Sequence, residues 1–153
     1  MAACTFFGHR DCPESIKVNL KKEIERLICD QQVDTFYIGT QGSFDRITYS
    51  ALKELRSKYN HIKVYRVLAY MPQNDAVSND NAQSEDTILP EGIERVHPRY
   101  AIVWRNNWMT DHSEYVIAYI THPTGGAYRA VERANKKGRT VIIMNLKTQP
   151  LTR

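Results

Sequence analysis

Five short apolar segments, separated by sequence with helical periodicity, constrain the fold of this chain more than any other feature. They are rich in Val, Ile, Phe and Tyr at successive positions, which is typical of strands buried on both faces of a sheet. Such strands belong to parallel sheets, whose crossover connections are right-handed. The predicted strands are 3–7, 34–38, 62–70, 115–120 and 140–144.

The segments between these strands have the spacing of amphipathic helices. From Ile16 the apolar residues Leu20, Ile24 and Leu27 recur at helical intervals, which predicts a first helix ending near Gln31. Three further helices are predicted around 47–59, 98–112 and 127–137. The alternation predicts an α/β, Rossmann-like, doubly wound domain. We expect a mainly parallel sheet of about five strands, the first of them central, with helices on both faces.

The 153 residues, 42% of them hydrophobic, fit a single domain, 1–153, interrupted by one polar excursion. This excursion, at about 72–97, carries six acidic residues against one basic residue, Arg95. It is too long for an ordinary connection, and 73–86 has few apolar side chains. We expect a mobile cover or a partner surface, and a solvated insertion without a role is the alternative.

Charge and cysteine usage exclude several classes of protein. The net charge is +4, but no basic run with interleaved aromatic residues marks a nucleic-acid groove, so a nucleic-acid partner is not expected. No segment approaches the roughly 20 apolar residues of a membrane helix, and no secretory signal is evident. We therefore expect a cytoplasmic protein with no membrane partner. The three cysteines and five histidines show no metal-ligand spacing, which predicts neither a bound metal nor a cofactor.

Three glycine-rich or polar segments follow predicted strands, at the edge of the sheet where ligands of such folds bind. In the first, His9 and Arg10 offer an imidazole and a guanidinium for a phosphate or another substrate group. The second supplies small residues, hydroxyls and an acid, although a plain turn with Ser43 or Asp45 as helix cap is an equal alternative. The candidate ligand-binding residues of these two segments are Gly8, His9, Arg10, Gly39, Thr40, Gln41, Gly42, Ser43 and Asp45.

The third segment contains Gly125 and Gly126 at the start of the last predicted helix, preceded by Thr121 and Thr124. Two glycines at a strand-to-helix turn let a phosphate approach the backbone, and the helix dipole favours negative charge there. Upstream Arg105 and downstream Glu132 could straddle the sugar of a nucleotide. The alternatives are a surface position for Arg105 and an ordinary helical ion pair for Glu132.

The order of Arg105, Met109, the segment 113–118, the glycine pair and Glu132 resembles the SLOG superfamily of DprA-like and LOG-like domains. LOG enzymes have an Arg-Lys-x-x-Met helix, then a strand ending in Pro-Gly-Gly-x-Gly-Thr-x-x-Glu. Their arginine and glutamate act on the N-glycosidic bond of a nucleoside monophosphate. The resemblance implies that Arg105 and Glu132 would be the catalytic residues of a hydrolase. Gly39 and Gly42 similarly resemble the family's glycine-rich turn after the second strand.

This chain also departs from the LOG pattern. Asn106 replaces the lysine, Thr124 the proline, and Tyr128 with Arg129 the Gly-Thr pair. The chain looks closer to a largely uncharacterised bacterial and phage branch of the superfamily. We therefore expect binding of a nucleotide or nucleotide-derived metabolite, such as an ADP-ribose-like molecule, for sensing or sequestration. A LOG-like phosphoribohydrolase is the alternative and single-stranded DNA binding the third hypothesis; a homo-oligomer is compatible with each.

Overall fold

The computed structural model describes residues 2–70 and 86–144, which form a sheet with helices on both faces. The strands are β1 (Ala2–Gly8), β2 (Val33–Ile38), β3 (Lys63–Val67), β4 (Thr87–Ile88), β5 (Tyr115–Tyr119) and β6 (Thr140–Met144). The helices are α1 (Ile16–Asp30), α2 (Gly42–Lys58), α3 (Ala101–Asp111) and α4 (Gly126–Lys136), with 3-10 turns at Ile93–Arg95 and Pro98–Tyr100. None of these helices is both long and apolar enough to cross a membrane.

All six strands run parallel, in the order β4-β3-β2-β1-β5-β6, which confirms the predicted Rossmann-like α/β fold. The first strand is central, as predicted, and pairs with β2 on one side and β5 on the other. The chain moves outward from β1 through β2, β3 and β4, then crosses back to form β5. The strand order therefore reverses beside β1, which is where ligands bind in open α/β sheets.

The sheet is buried on both faces because neighbouring side chains of each strand point in opposite directions. Phe6 packs with Phe36 and Leu20 in one core, on the side of α1 and α2. The next residue, Phe7, packs with Met109 in a second core, on the side of α3 and α4. Two cores therefore require apolar residues at successive positions of β1, as its sequence has.

The acidic excursion contributes a sixth strand that the sequence did not predict. Strand β3 ends at Val67, earlier than expected, and β4 pairs with its last residues. The following turn is also packed, because Ile93 is buried. Strand β4 forms one edge of the sheet. Residues 72–85, the remainder of the predicted cover or partner surface, lie outside the described residues.

Candidate functional site

A cleft of about 520 Å³ opens at the carboxyl ends of β1, β2 and β5. It forms there because parallel strands end at one edge, so the loops that follow them converge. Ten of the predicted ligand-binding residues line this cleft: Gly8, His9, Arg10, Gly39, Gln41, Asp45, Arg105, Thr121, Gly125 and Gly126. Sequence reasoning did not assign a ligand-binding role to the other lining residues, which are Phe6, Phe7, Asp11, Ile102, Asn106, Met109, His122 and Ala127.

The N-terminus of α4 forms one wall of the cleft. Gly125 is the N-cap residue, with φ +96°, and no side chain caps the helix. The first helical hydrogen bond runs from Arg129 N–H to the carbonyl oxygen of Gly125, at 3.1 Å, so the preceding N–H groups have no acceptor in the helix. A Cβ on either Gly125 or Gly126 would have no neighbour within 4 Å. This helix end is therefore open to an anion.

Arg105 lies beneath the cleft and is only 2% exposed, so its interpretation as a surface arginine is wrong. Its Nη1 donates to the carbonyl oxygen of Val67 at 2.8 Å, and its Nε donates to Oδ1 of Asn106 at 3.0 Å. Burial lowers the pKa of Arg105 from its ordinary value, while the charge of Asp45 acts in the opposite direction. Arg105 forms no direct ion pair in the part of the chain that the structure describes.

Asp45 supplies a carboxylate to the same cleft from the first turn of α2. Its Oδ2 accepts a hydrogen bond from the backbone N–H of Gln41 at 2.9 Å. Gln41 itself is the N-cap residue of α2 and its side chain makes no capping hydrogen bond, so the alternative with Ser43 or Asp45 as the cap is wrong. Burial raises the pKa of Asp45 to about 6, although the hydrogen bond from Gln41 N–H and the charge of Arg105 both favour the ionised form. At neutral pH the Asp45 carboxylate in the cleft is therefore ionised, and this ionisation lowers the stability of the folded protein.

This loss of stability predicts that Asp45→Asn stabilises the protein at high pH. A carboxyl whose pKa is higher in the folded than in the unfolded chain destabilises the fold when it is ionised. The destabilisation is complete above pH 6 and vanishes below about pH 4. We expect a gain in unfolding free energy of up to about 3 kcal/mol at pH 8 and less than about 1 kcal/mol at pH 4. Urea unfolding at both pH values measures this gain, and an equal gain at both would contradict the prediction.

His9 and His122 form a stacked pair at the cleft, with ring centroids 3.8 Å apart and planes inclined by 5°. Burial lowers the pKa of His9, and the neighbouring His122 lowers it further. His122 Nδ1 lies 3.1 Å from the hydroxyl of Thr121. The sequence indicated His9, but it could not place His122 against it because that contact depends on the pairing of β1 with β5. The described residues contain no cluster of three His, Cys, Asp or Glu side chains suited to a metal.

Several predicted site residues shape the loops and do not line the cleft. Ser43 N–H donates to the carbonyl oxygen of Arg10 at 3.1 Å, and Ser43 Oγ accepts from Cys12 N–H at 2.8 Å. Gly42 has φ +89°, and a Cβ there would lie 3.1 Å from the Cα of Arg10. These two residues hold the loop after β1 against α2. Thr40 and Thr124 are exposed and outside the lining.

Glu132, the predicted partner of Arg105, is also outside the cleft lining. It lies on the exposed surface of α4, and its charge and a hydrogen bond raise the pKa of Tyr128 from its ordinary value. The two tryptophans have packing contacts: Trp104 covers Gly92, and Trp108 stacks on the ring of His112 with centroids 3.9 Å apart. The structure therefore gives Arg105 a different acidic neighbour, Asp45, which belongs to α2.

Comparison with known proteins supports the fold. No family model matches the sequence, and neither does a curated protein. DNA processing protein A (DprA) from Streptococcus pneumoniae has a similar solved structure, with a TM-score of 0.65 and 18% sequence identity. The similarity covers 94% of this chain and 50% of that one, so this chain spans half the length of its structural neighbour. The protein thus has a DprA-like, Rossmann-like fold.

Proposed function

We propose that this protein binds a nucleotide or nucleotide-derived metabolite, with a phosphate at Gly125 and Gly126, for sensing or sequestration. The observation that carries this proposal is the open, uncapped N-terminus of α4 in a cleft that also contains a buried arginine, Arg105. Unpaired N–H groups at a helix N-terminus complement phosphate oxygens, and a buried guanidinium supplies further donors to a polar ligand. The cleft volume of about 520 Å³ is in the range of small-molecule sites.

The distribution of charge across the cleft supports an orientation for the ligand. The helix N-terminus lies on the β5 side, whereas Asp45 enters from α2, which follows β2. A phosphate beside Asp45 would meet like charge, but a phosphate at α4 would not. We therefore place the phosphate at α4 and the uncharged part of the ligand toward β2. An ADP-ribose-like molecule is one metabolite with this arrangement of groups.

Isothermal titration calorimetry with AMP, GMP, ADP and ADP-ribose tests this proposal. We expect saturable binding of at least one of these compounds, weakened by salt because the phosphate contact is partly electrostatic. Inorganic phosphate should compete with the nucleotide for the helix N-terminus. Absence of binding by the whole panel would contradict the proposed function.

The hydrolase alternative makes a different prediction for Glu132. If the protein is a binder, we expect the wild type to release no free base from nucleoside monophosphates. Glu132→Gln should then change nucleotide affinity by less than about threefold, because an exposed side chain outside the lining contributes little. Chromatography of the reaction products and calorimetry measure the two quantities. Base release by the wild type that disappears in Glu132→Gln would overturn the binder proposal.

Single-stranded DNA binding is the third candidate, and the observation that favours it is the fold similarity to a protein named for DNA processing. A labelled oligonucleotide titrated at several salt concentrations tests it, because phosphate contacts along a strand give a steep dependence of affinity on salt. We expect the oligonucleotide to bind more weakly than the best mononucleotide. Tighter oligonucleotide binding that AMP cannot displace would favour the DNA hypothesis.

A further inference from the structure

We infer that Asp45 and Arg105 together recognise the ribose hydroxyls of the ligand, so that the protein selects ribonucleotides over 2′-deoxyribonucleotides. This inference rests on the proposed function and specifies its ligand class. It concerns the end of the cleft opposite the phosphate site, where a carboxylate and a guanidinium meet around a glycine.

Both charged groups lie next to Gly39. A Cβ built on this glycine would be 2.8 Å from Oδ2 of Asp45 and 3.2 Å from Cζ of Arg105. Despite this proximity, the ion pairs of the described residues do not include Asp45 with Arg105. The two groups are thus close enough to contact one small ligand group and too far apart to form an ion pair with each other.

The hydrogen bonds of Asp45 leave capacity for a ligand. Oδ2 accepts from the N–H of Gln41, and no donor to Oδ1 occurs among the described residues. The carboxylate lines the cleft, so Oδ1 is available to a bound molecule. Because burial raises the pKa of Asp45 to about 6, its ionised form lacks the stabilisation that water would provide. A hydrogen-bond donor on the ligand would restore part of that stabilisation.

The chemistry of the pair restricts what can contact both side chains. An ionised carboxylate only accepts hydrogen bonds, and a guanidinium only donates them. A phosphate dianion cannot donate to Asp45 and an ammonium cannot accept from Arg105, whereas a hydroxyl does both. The hydroxyls of a nucleotide belong to its sugar. A nucleobase edge also offers donors and acceptors. A probe that lacks a base therefore shows whether the pair contacts the sugar or the base.

The sheet topology gives the separation that a nucleotide requires. Gly126 follows β5 and Asp45 follows β2, and the single strand β1 lies between those two strands. Two strand spacings amount to about 10 Å. The 5′-phosphate and the sugar hydroxyls of one nucleotide are several ångströms apart, and a hydrogen bond of about 3 Å at each end makes up the rest of this distance. The same ligand can therefore occupy both ends of the cleft.

Paired sugar phosphates test the inference without depending on the base. Affinities of ribose 5-phosphate and 2-deoxyribose 5-phosphate, and of AMP and 2′-deoxy-AMP, are measured with the wild type. We expect each deoxy compound to bind about 10- to 100-fold more weakly, because a hydrogen bond to a charged group is lost. In Asp45→Asn this ratio should fall below about threefold, mainly through weaker binding of the ribose compounds.

A matched control is Asp30→Asn, which removes the same charge at the far end of α1, outside the cleft lining. It should leave the selectivity unchanged, and thermal unfolding should show that both variants fold. Equal wild-type affinities for ribose and deoxyribose compounds that both bind would overturn this inference but keep the proposed function. Selectivity with AMP but not with ribose 5-phosphate would also overturn it. Absence of binding by all four probes and by the nucleotide panel would overturn both proposals.

Discussion

Replacing Gly126 with leucine is expected to lower nucleotide affinity by at least about 100-fold, equivalent to about 2.7 kcal/mol, in a protein that remains folded. The side chain would fill the space in front of the α4 N-terminus, where a Cβ has no protein neighbour within 4 Å. Folding should be maintained because no atom outside the adjacent residues and the α4 backbone lies within 4 Å of the added Cβ. Leucine also favours a helix over glycine by up to about 1 kcal/mol. Calorimetry with the best-bound nucleotide and urea unfolding measure the two effects.

Asn135→Leu, on the exposed last turn of the same helix, is the control for this variant. It adds a similar apolar side chain to α4 at the end remote from the phosphate site, so its affinity should equal that of the wild type. Gly126→Ala should give an intermediate loss, because a single methyl group occupies less of the space. Undiminished affinity in a folded Gly126→Leu protein would refute the placement of the phosphate.

Gly8→Ala is expected to lower the free energy of unfolding by about 3 kcal/mol, even without ligand. The sequence indicates Gly8 as a ligand-binding residue, but the structure also gives it a packing role. A Cβ there would lie 2.3 Å from two carbons of the Phe44 ring, and Phe44 is only 1% exposed. This ring also stacks near Tyr119, with centroids 6.2 Å apart, so it cannot move without disturbing the core. Urea unfolding monitors the loss.

A double-mutant cycle tests whether the ring of Phe44 causes the loss of stability in Gly8→Ala. Phe44→Ala removes the ring that an alanine at position 8 would strike, at the cost of a cavity. The double variant should therefore be more stable than the sum of the two single losses predicts, by about 1–3 kcal/mol. Strict additivity, or a Gly8→Ala protein as stable as the wild type, would show that the packing of Phe44 does not require a glycine at position 8.

The apolar patterns predicted five of the six strands, the four α-helices and the parallel sheet. The last helix was predicted at 127–137 and is observed at Gly126–Lys136, and the last strand was predicted with its observed bounds. These predictions succeed because burial on one or both faces imposes a period on the sequence itself. Strand β4 was missed because two residues, Thr87–Ile88, are too short to show any period.

The sequence also determined where the cleft lies, whereas the tertiary structure decided which side chains line it. Loops that follow parallel strands share one edge, so the sequence sufficed to bring Gly8, Gly39 and Gly125 together. The spacing of Arg105 and Glu132 suggested a functional pair, but the structure buries the arginine beside Asp45 and leaves the glutamate on the surface. The physical reason is that contacts between side chains distant in sequence depend on strand order and helix packing. No local pattern in the sequence records these.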